Sequence, residues 1–382
     1  MAKTLVYQLF SPAWKTGLKG MAEHLSRVAA LSVDYVLLSP IYDSPFQDDG
    51  YDVANYKQVH RSFDRQYRFN EFIEKAHSYG LGVLMDLPIS QTSINHRWFD
   101  THPEYYYWSE QDHRGWFNLY DQGAAWHYLE SEEKYYLSLS NPAQADLRWY
   151  TIQEIGPTAE DNLQINWPLV YEFRSIIEYW LRRGVDGFRL VFPQGINKDF
   201  TSEEQKLNDI LFGDKAALVI DAIFRMYDNA FLILECYDPT MGELVEHYAK
   251  HTPAEFVYNA SLKGEISRGE GHLLRLIDAE AKDSRFMLQL ESHNSPRFPS
   301  VGIGPKDAIL DMFGSTAEGI CLYQGQELGL SSSSKEKLHR KEYEQQEQNP
   351  DSCLNYTKNW IQNWRASEPS VHTEPPQIIL ED

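Results

Sequence analysis

Short apolar runs of strand type alternate along the chain with stretches of helical periodicity. The runs fall at residues 4–10, 33–42, 80–89, 185–192, 230–238, 254–260, 285–292 and 319–328. Between them, apolar residues recur at helical spacing over 17–31, 68–80, 167–184, 214–229, 241–251, 271–283 and 305–315. Strand followed by helix, repeated, predicts right-handed parallel units. Eight such units suit a closed (β/α)8 TIM barrel, an α/β fold, better than an open doubly wound sheet.

One connection breaks the rhythm. Residues 91–168 separate the third strand from the next helix, where an ordinary βα loop has roughly 2 to 6 residues. They are read as an inserted subdomain at the C-terminal mouth of the barrel, where this fold builds its sites. The expected division is therefore 1–90 with 169–370 as barrel and 91–168 as insert, followed by a short tail at 371–382 with at most one strand. Residues 331–352, which open with four serines, read as a polar connection that is mobile at its start. An amphipathic helix is expected over 354–367.

Composition narrows the function. A chain of 382 residues can bury a large core, and 56 acidic against 35 basic side chains leave a net charge of −21. Such a charge repels a phosphate backbone and offers no basic patch to anionic lipid, so neither nucleic acid nor membrane is expected as a partner. The opening MAKTLVYQLFSPAW lacks the long apolar segment of a signal peptide, and no run approaches the roughly 18 apolar residues of a membrane span. A cytoplasmic protein is expected. Cys236, Cys321 and Cys353 are odd in number and far apart, which suggests neither a disulfide framework nor a CxxC metal site. Aromatic residues crowd into 98–150, as a ligand-stacking surface or core packing would require.

In a barrel, the residues ending each strand line the site. These are Tyr51 and Asp52 after the second strand, Asp86 on the third, Arg189 on the fourth, Glu235 on the fifth, and His293 and Arg297 after the seventh. Each has a plainer reading: Glu235 as a packing partner of Arg189, His293 as a loop histidine, Asp52 as a cap of the DDG turn. Alternation along the fourth strand puts Val185, Gly187, Arg189 and Val191 on one face, so the arginine shares its face with a valine and not with an acid. His247 and His251 in HYAKH have metal-pair spacing, but Tyr248 stands where a zinc protease has its glutamate, and no metal is expected there. No GxGxxG after a strand, GxxxxGK[ST] or GxSxG occurs.

Six segments in order carry a resemblance: LSPIYDSPFQDDGYDVANY (38–56), DLPISQTSINHRWF (86–99), GVDGFRL followed by INKD, LILECYD, SHNSPRF (292–298) and ICLYQGQELGL (320–330). Together they resemble glycoside hydrolase family 13, the α-amylase family, and most closely its oligo-1,6-glucosidase and α-glucosidase branch, over about residues 4–370. The resemblance implies a retaining double displacement on α-glucosidic bonds, which needs two carboxyls roughly 5 to 5.5 Å apart. It gives Glu235 the acid/base role, Arg189 the orientation of a nucleophile and His293 a transition-state contact. Tyr51 and Asp52 become the stacking and hydroxyl-binding pair of the first sugar subsite, with Asp86 and Arg297 beside the substrate.

Departures from the family pattern change the picture. Val191 stands where the resemblance calls for the nucleophilic Asp, and Asn294 where it calls for the stabilising Asp. Ser90 and Gln91 replace an Asn-His pair, and His96, further along, is no substitute. The first βα loop, FSPAWKTGLKG, lacks the Asp-rich calcium loop of many relatives, so no such ion and no cofactor are expected. A valine has no lone pair to attack an anomeric carbon. The expectation is a catalytically impaired barrel without a full C-terminal β-domain, binding an α-glucoside, an oligosaccharide or a protein partner. The alternative is a hydrolase or transglycosylase using Glu235 in an altered mechanism, for which Glu291 is the nearest assisting acid in sequence. A buried guanidinium needs a counter-charge, so Arg189 is expected to pair with Glu235 or Asp86.

Overall fold

The computed structural model describes residues 3–64, 68–113, 123–152, 163–198, 215–237, 243–262, 285–315, 317–336, 338 and 340–367. Eight parallel strands close into a barrel: β1 (Thr4–Leu9), β2 (Tyr35–Leu38), β3 (Gly82–Pro88), β4 (Gly187–Val191), β5 (Phe231–Cys236), β6 (Phe256–Asn259), β7 (Phe286–Leu288) and β8 (Gly319–Tyr323). Each strand pairs with its neighbours in chain order, and β1 closes the ring on β8. All eight lie within the apolar runs read from the sequence.

The long helices follow the same agreement, with one exception. They are α1 (Leu18–Ala29), α2 (Phe69–Ser78), α3 (Trp167–Leu181), α4 (Lys215–Phe224), α5 (Glu243–His251), α6 (Pro305–Gly314), α7 (Arg340–Glu347) and α8 (Cys353–Ala366). The helix expected over 271–283 and the tail 371–382 lie outside the described residues. Local chemistry explains several starts: the Asn166 side chain accepts from the Leu169 amide at α3, and Ser352 Oγ accepts from the Asn355 amide at 3.2 Å at α8.

Helix α7 departs from the expected polar connection. Its only buried residue is Tyr343, too little for a periodic signal. Long-range contacts hold it instead: the Tyr343 hydroxyl donates to Glu327, and Gln346 Nε2 donates to the Leu328 carbonyl at 2.8 Å. The serine stretch before it is also tied down. The Tyr323 hydroxyl donates to the Ser334 carbonyl, Ser334 Oγ donates to the His293 carbonyl at 3.2 Å, and Lys335 pairs with Asp49.

Strand alternation divides the core. Leu5, Tyr7, Val83, Phe188, Leu190, Leu232 and Leu234 belong to the large cluster that includes the helices. The intervening residues Val6, Leu37, Leu84, Ile233, Tyr258, Met287 and Cys321 form a second cluster inside the barrel. At Gly319 a Cβ would lie 2.7 Å from the Phe256 ring, so this one position of the interior has room only for glycine. Two residues further along β1, β3, β5 and β7, the same inward parity holds Gln8, Asp86, Glu235 and Gln289. The barrel interior is thus apolar below and polar above.

Residues 91–165 contribute no described strand to the barrel. Gln91–Ser93 pairs with Gln144–Asp146, Lys134–Leu137 pairs with both Trp108–Ser109 and Trp126–Leu129, and Tyr150–Ile152 pairs with Leu163–Ile165, all antiparallel. Their aromatic residues mostly pack inward. Trp98, Phe99, Tyr105, Tyr106, Trp126, Tyr136 and Trp149 are buried, whereas Tyr128 is exposed. Of the two uses for this aromatic enrichment, packing is the one the geometry carries.

Candidate active site

Register sets the centre of the polar layer, because Arg189 on β4 lies directly beside Asp86 on β3. Arg189 Nε donates to Asp86 Oδ1 at 2.6 Å and Nη2 to Oδ2 at 2.8 Å, a bidentate pair between two side chains buried to 2% and 0% exposure. The remaining donor face meets Gln289, whose Oε1 accepts from Nη1 at 3.1 Å. Gln289 Nε2 in turn donates to Gln8 Oε1 at 2.5 Å. Glu235 Oε2 stands 3.7 Å from Arg189 Nη2, close enough for charge attraction but too long for a hydrogen bond. The arginine therefore pairs chiefly with Asp86, as one of the two expected partners.

The electrostatics follow from burial. Desolvation works to lower the Arg189 pKa, but Asp86 and Glu235 outweigh it and hold the guanidinium well above its ordinary value. Burial raises the Asp86 carboxyl, against the pull of Arg189. The Tyr51 hydroxyl donates to Asp86 Oδ2 at 2.9 Å and is pushed well above the tyrosine range, first by burial and then by Asp86. With three donors on two oxygens, Asp86 is fully engaged within the protein.

Val191 ends β4 opposite Glu235 on one side and Pro88 on the other. The next residue, Phe192, takes a left-handed backbone at φ 45° and turns the chain into the short 3₁₀ segment Pro193–Asn197. Its ring packs against Tyr107, Trp126 and their apolar neighbours in the insert. Lys198 then joins barrel and insert: completely buried, its ammonium pairs with Asp146 and donates to the Ser90 carbonyl at 3.1 Å. Burial lowers the Lys198 pKa while Asp146 opposes that shift.

His293 lies between two rings, with Phe10 at 4.7 Å and 10° and Tyr51 at 5.5 Å and 14°. Arg297 does not present its charge to this stack. Its Nη1 donates to Glu291 Oε2 at 2.9 Å and its Nη2 to the Gln324 carbonyl at 2.8 Å. Glu291 also accepts from the Phe298 amide at 2.8 Å, and burial raises its pKa against the opposing pull of Arg297. Asn294 is exposed on the following loop, its amide donating to Ser292 Oγ. Ser90 is buried and donates to Gln91 Oε1.

Asp52 is tied into its own turn. Its carboxylate accepts from Ser44 Oγ at 2.8 Å and from the amides of Gln47 at 2.9 Å and Asp48 at 3.2 Å, so it holds its own turn together. Asp48 and Asp49 of that turn are partly open, and Asp48 faces the insert. It accepts from Gln144 of the insert at 2.9 Å, and burial raises its pKa. Sequence reasoning passed over Asp48, Phe10, Gln8, Gln289 and the Lys198–Asp146 pair. Only the glutamines left a local signal, as amides within otherwise apolar strands.

His96 caps the short helix Arg97–Thr101 by accepting from the Trp98 amide, and burial lowers its pKa from 6.5 to about 3. A lowered folded-state pKa gives stability that is present above pH 6.5 and lost as pH falls toward 3. His96→Asn, which keeps a neutral cap, is expected to lose less. Between pH 7 and 4.5 the wild type should fall by about 2–3 kcal/mol relative to the variant in urea unfolding, and parallel curves would refute this.

Among the described residues no group of three or more His, Cys, Asp or Glu side chains is placed to hold a metal ion, and no helix is long and apolar enough to cross a membrane. The family profile described as "Alpha amylase, catalytic domain" matches residues 12–370. Trehalose-6-phosphate hydrolase of Bacillus subtilis (strain 168) is 30% identical over 277 residues, covering 65% of this chain and 46% of the relative. Oligo-1,6-glucosidase of Heyndrickxia coagulans is 27% identical over 224 residues, covering 53% and 38%. In both cases the match spans less than half the length of the curated relative. The crystal structure of Bacillus licheniformis trehalose-6-phosphate hydrolase superposes with a TM-score of 0.76 at 20% identity, covering 95% of this chain and 83% of that one. With the profile spanning nearly the whole closed barrel and its polar upper layer, the chain belongs to the α-amylase family, glycoside hydrolase family 13, and is similar to its oligo-1,6-glucosidase branch.

Proposed function

We propose that this chain is a catalytically impaired α-amylase-family barrel that binds an α-glucoside at its mouth without hydrolysing it at an ordinary rate. The observation that carries the reading is Val191, which ends β4 beside Glu235, where a retaining mechanism needs a second carboxyl roughly 5 to 5.5 Å from the acid/base. The neighbouring acids do not replace it. Asp86 is held by Arg189 and Tyr51, and Glu291 by Arg297 and the Phe298 amide.

What remains can still hold a sugar. The face of the Tyr51 ring turned away from His293 is the stacking surface this reading calls on, and Glu235 and Asp48 offer hydroxyl acceptors. The altered-mechanism alternative needs an assisting carboxylate, and its nearest candidate in sequence, Glu291, is already doubly bonded. Binding is tested by titrating the chain with maltose, isomaltose and sucrose in a calorimeter. Saturable heat with at least one sugar, weakened tenfold or more in Glu235→Gln, is expected. Absence of heat with every sugar would overturn the sugar-binding reading and favour a protein partner at the mouth.

A further inference from the structure

Outside the barrel wall, α1 and α7 line a half-open pocket of about 840 Å³ that takes no part in the site above. Small-molecule pockets span roughly 300–1,000 Å³, so this one can admit a compact organic ligand. We infer that it is a binding site for a small phosphate-bearing molecule, recognised by Arg27 and Lys341.

The lining chemistry carries the inference. Arg27, Arg340 and Lys341 face Glu23 as the single acidic residue of the lining, in a chain whose net charge is −21. Arg340 is engaged by Glu344 one helical turn on. Among the described residues Arg27 and Lys341 have no carboxylate partner. Two cations from different helices thus line one hollow that has Glu23 as its single acid.

The floor is built and rigid. His24 lies 5.4 Å from Trp14 and 5.1 Å from Tyr343, ring centroid to ring centroid, and all three are buried. Trp14 is fixed by its Nε1 donating to Gln324 Oε1 at 3.0 Å, and Tyr343 by its bond to the buried Glu327. Arg27 sits with its guanidinium 5.4 Å from the centre of the Tyr343 ring, which orients the planar fork. A guanidinium fork with an ammonium beside it suits phosphate, whose oxygens accept several charged donors at once, better than a carboxylate. An aromatic floor accommodates the organic part.

The test uses the full chain, inorganic phosphate as probe, and acetate at equal ionic strength as the competing anion. Calorimetry should show saturable phosphate binding, at least tenfold weaker in the Arg27→Gln, Lys341→Gln double variant and weaker still for acetate in the wild type. Phosphate should change the tryptophan fluorescence of the wild type, and Trp14→Phe should remove that change. Should the double variant fail to fold, Lys341→Gln alone, at an exposed position, should weaken binding at least threefold. No saturable phosphate binding, unchanged affinity in a folded variant, or acetate binding as tightly as phosphate would overturn the proposal.

Discussion

Arg189→Leu should lower the unfolding free energy at pH 7 by about 3–5 kcal/mol, the usual cost of removing one partner from a buried ion pair. The guanidinium is 2% exposed, and it neutralises Asp86 while standing 3.7 Å from Glu235. Its removal would leave Asp86 without its bidentate counter-charge and Gln289 without its donor. Asp86 is expected to respond by holding a proton. A carboxyl whose folded pKa is raised gives stability that is full below its unfolded pKa and lost as pH rises through the folded value. The deficit of the variant should therefore shrink as pH falls toward 4. Replacing both partners, as in Arg189→Leu with Asp86→Leu, should restore much of the loss. Urea unfolding of the wild type and the two variants measures this, and a deficit of Arg189→Leu below about 1 kcal/mol would show that the pair is not what keeps the polar layer intact.

The larger kinetic effect should come from Val191→Asp, alone and together with Asn294→Asp. Loss of an acting catalytic group commonly costs about 10⁴–10⁶ in rate, and the single substitution is expected to regain part of that, on the order of 10³-fold or more in kcat/KM on an aryl α-glucoside. The position favours the change. Val191 is only partly buried and lies opposite Glu235, two residues beyond Arg189 on the same strand face. Asn294 is exposed, so its substitution should change stability by no more than about 0.5 kcal/mol. Wild-type turnover equal to that of the double variant would refute the impaired reading.

The eight strands were legible because each is a short apolar run bounded by turns, and side-chain alternation alone predicted that Arg189 and Val191 share a face. Helix α7 was not legible. Its stability resides in Tyr343 reaching Glu327 and Gln346 reaching Leu328, contacts that leave no periodic mark. The role of Asp52 was ambiguous for a related reason, since an acid beside a tight turn reads the same whether it caps the turn or faces a ligand. The structure shows three donors to it within its own loop, the contacts of a capping acid.

By itself the sequence determined the order of the barrel strands, the excess of acidic charge and the absence of a nucleophilic side chain at position 191, because these depend on composition and local periodicity. Only the tertiary structure decided which acids are engaged. Asp86 and Arg189 are 103 positions apart, and Gln289 meets Gln8 across 281. Closure of the barrel brings these side chains into one buried layer, where each must find a partner to offset its desolvation. That requirement draws Asp86 and Glu291 into pairs within the protein and sets Glu235 near Arg189, beside the valine that ends β4.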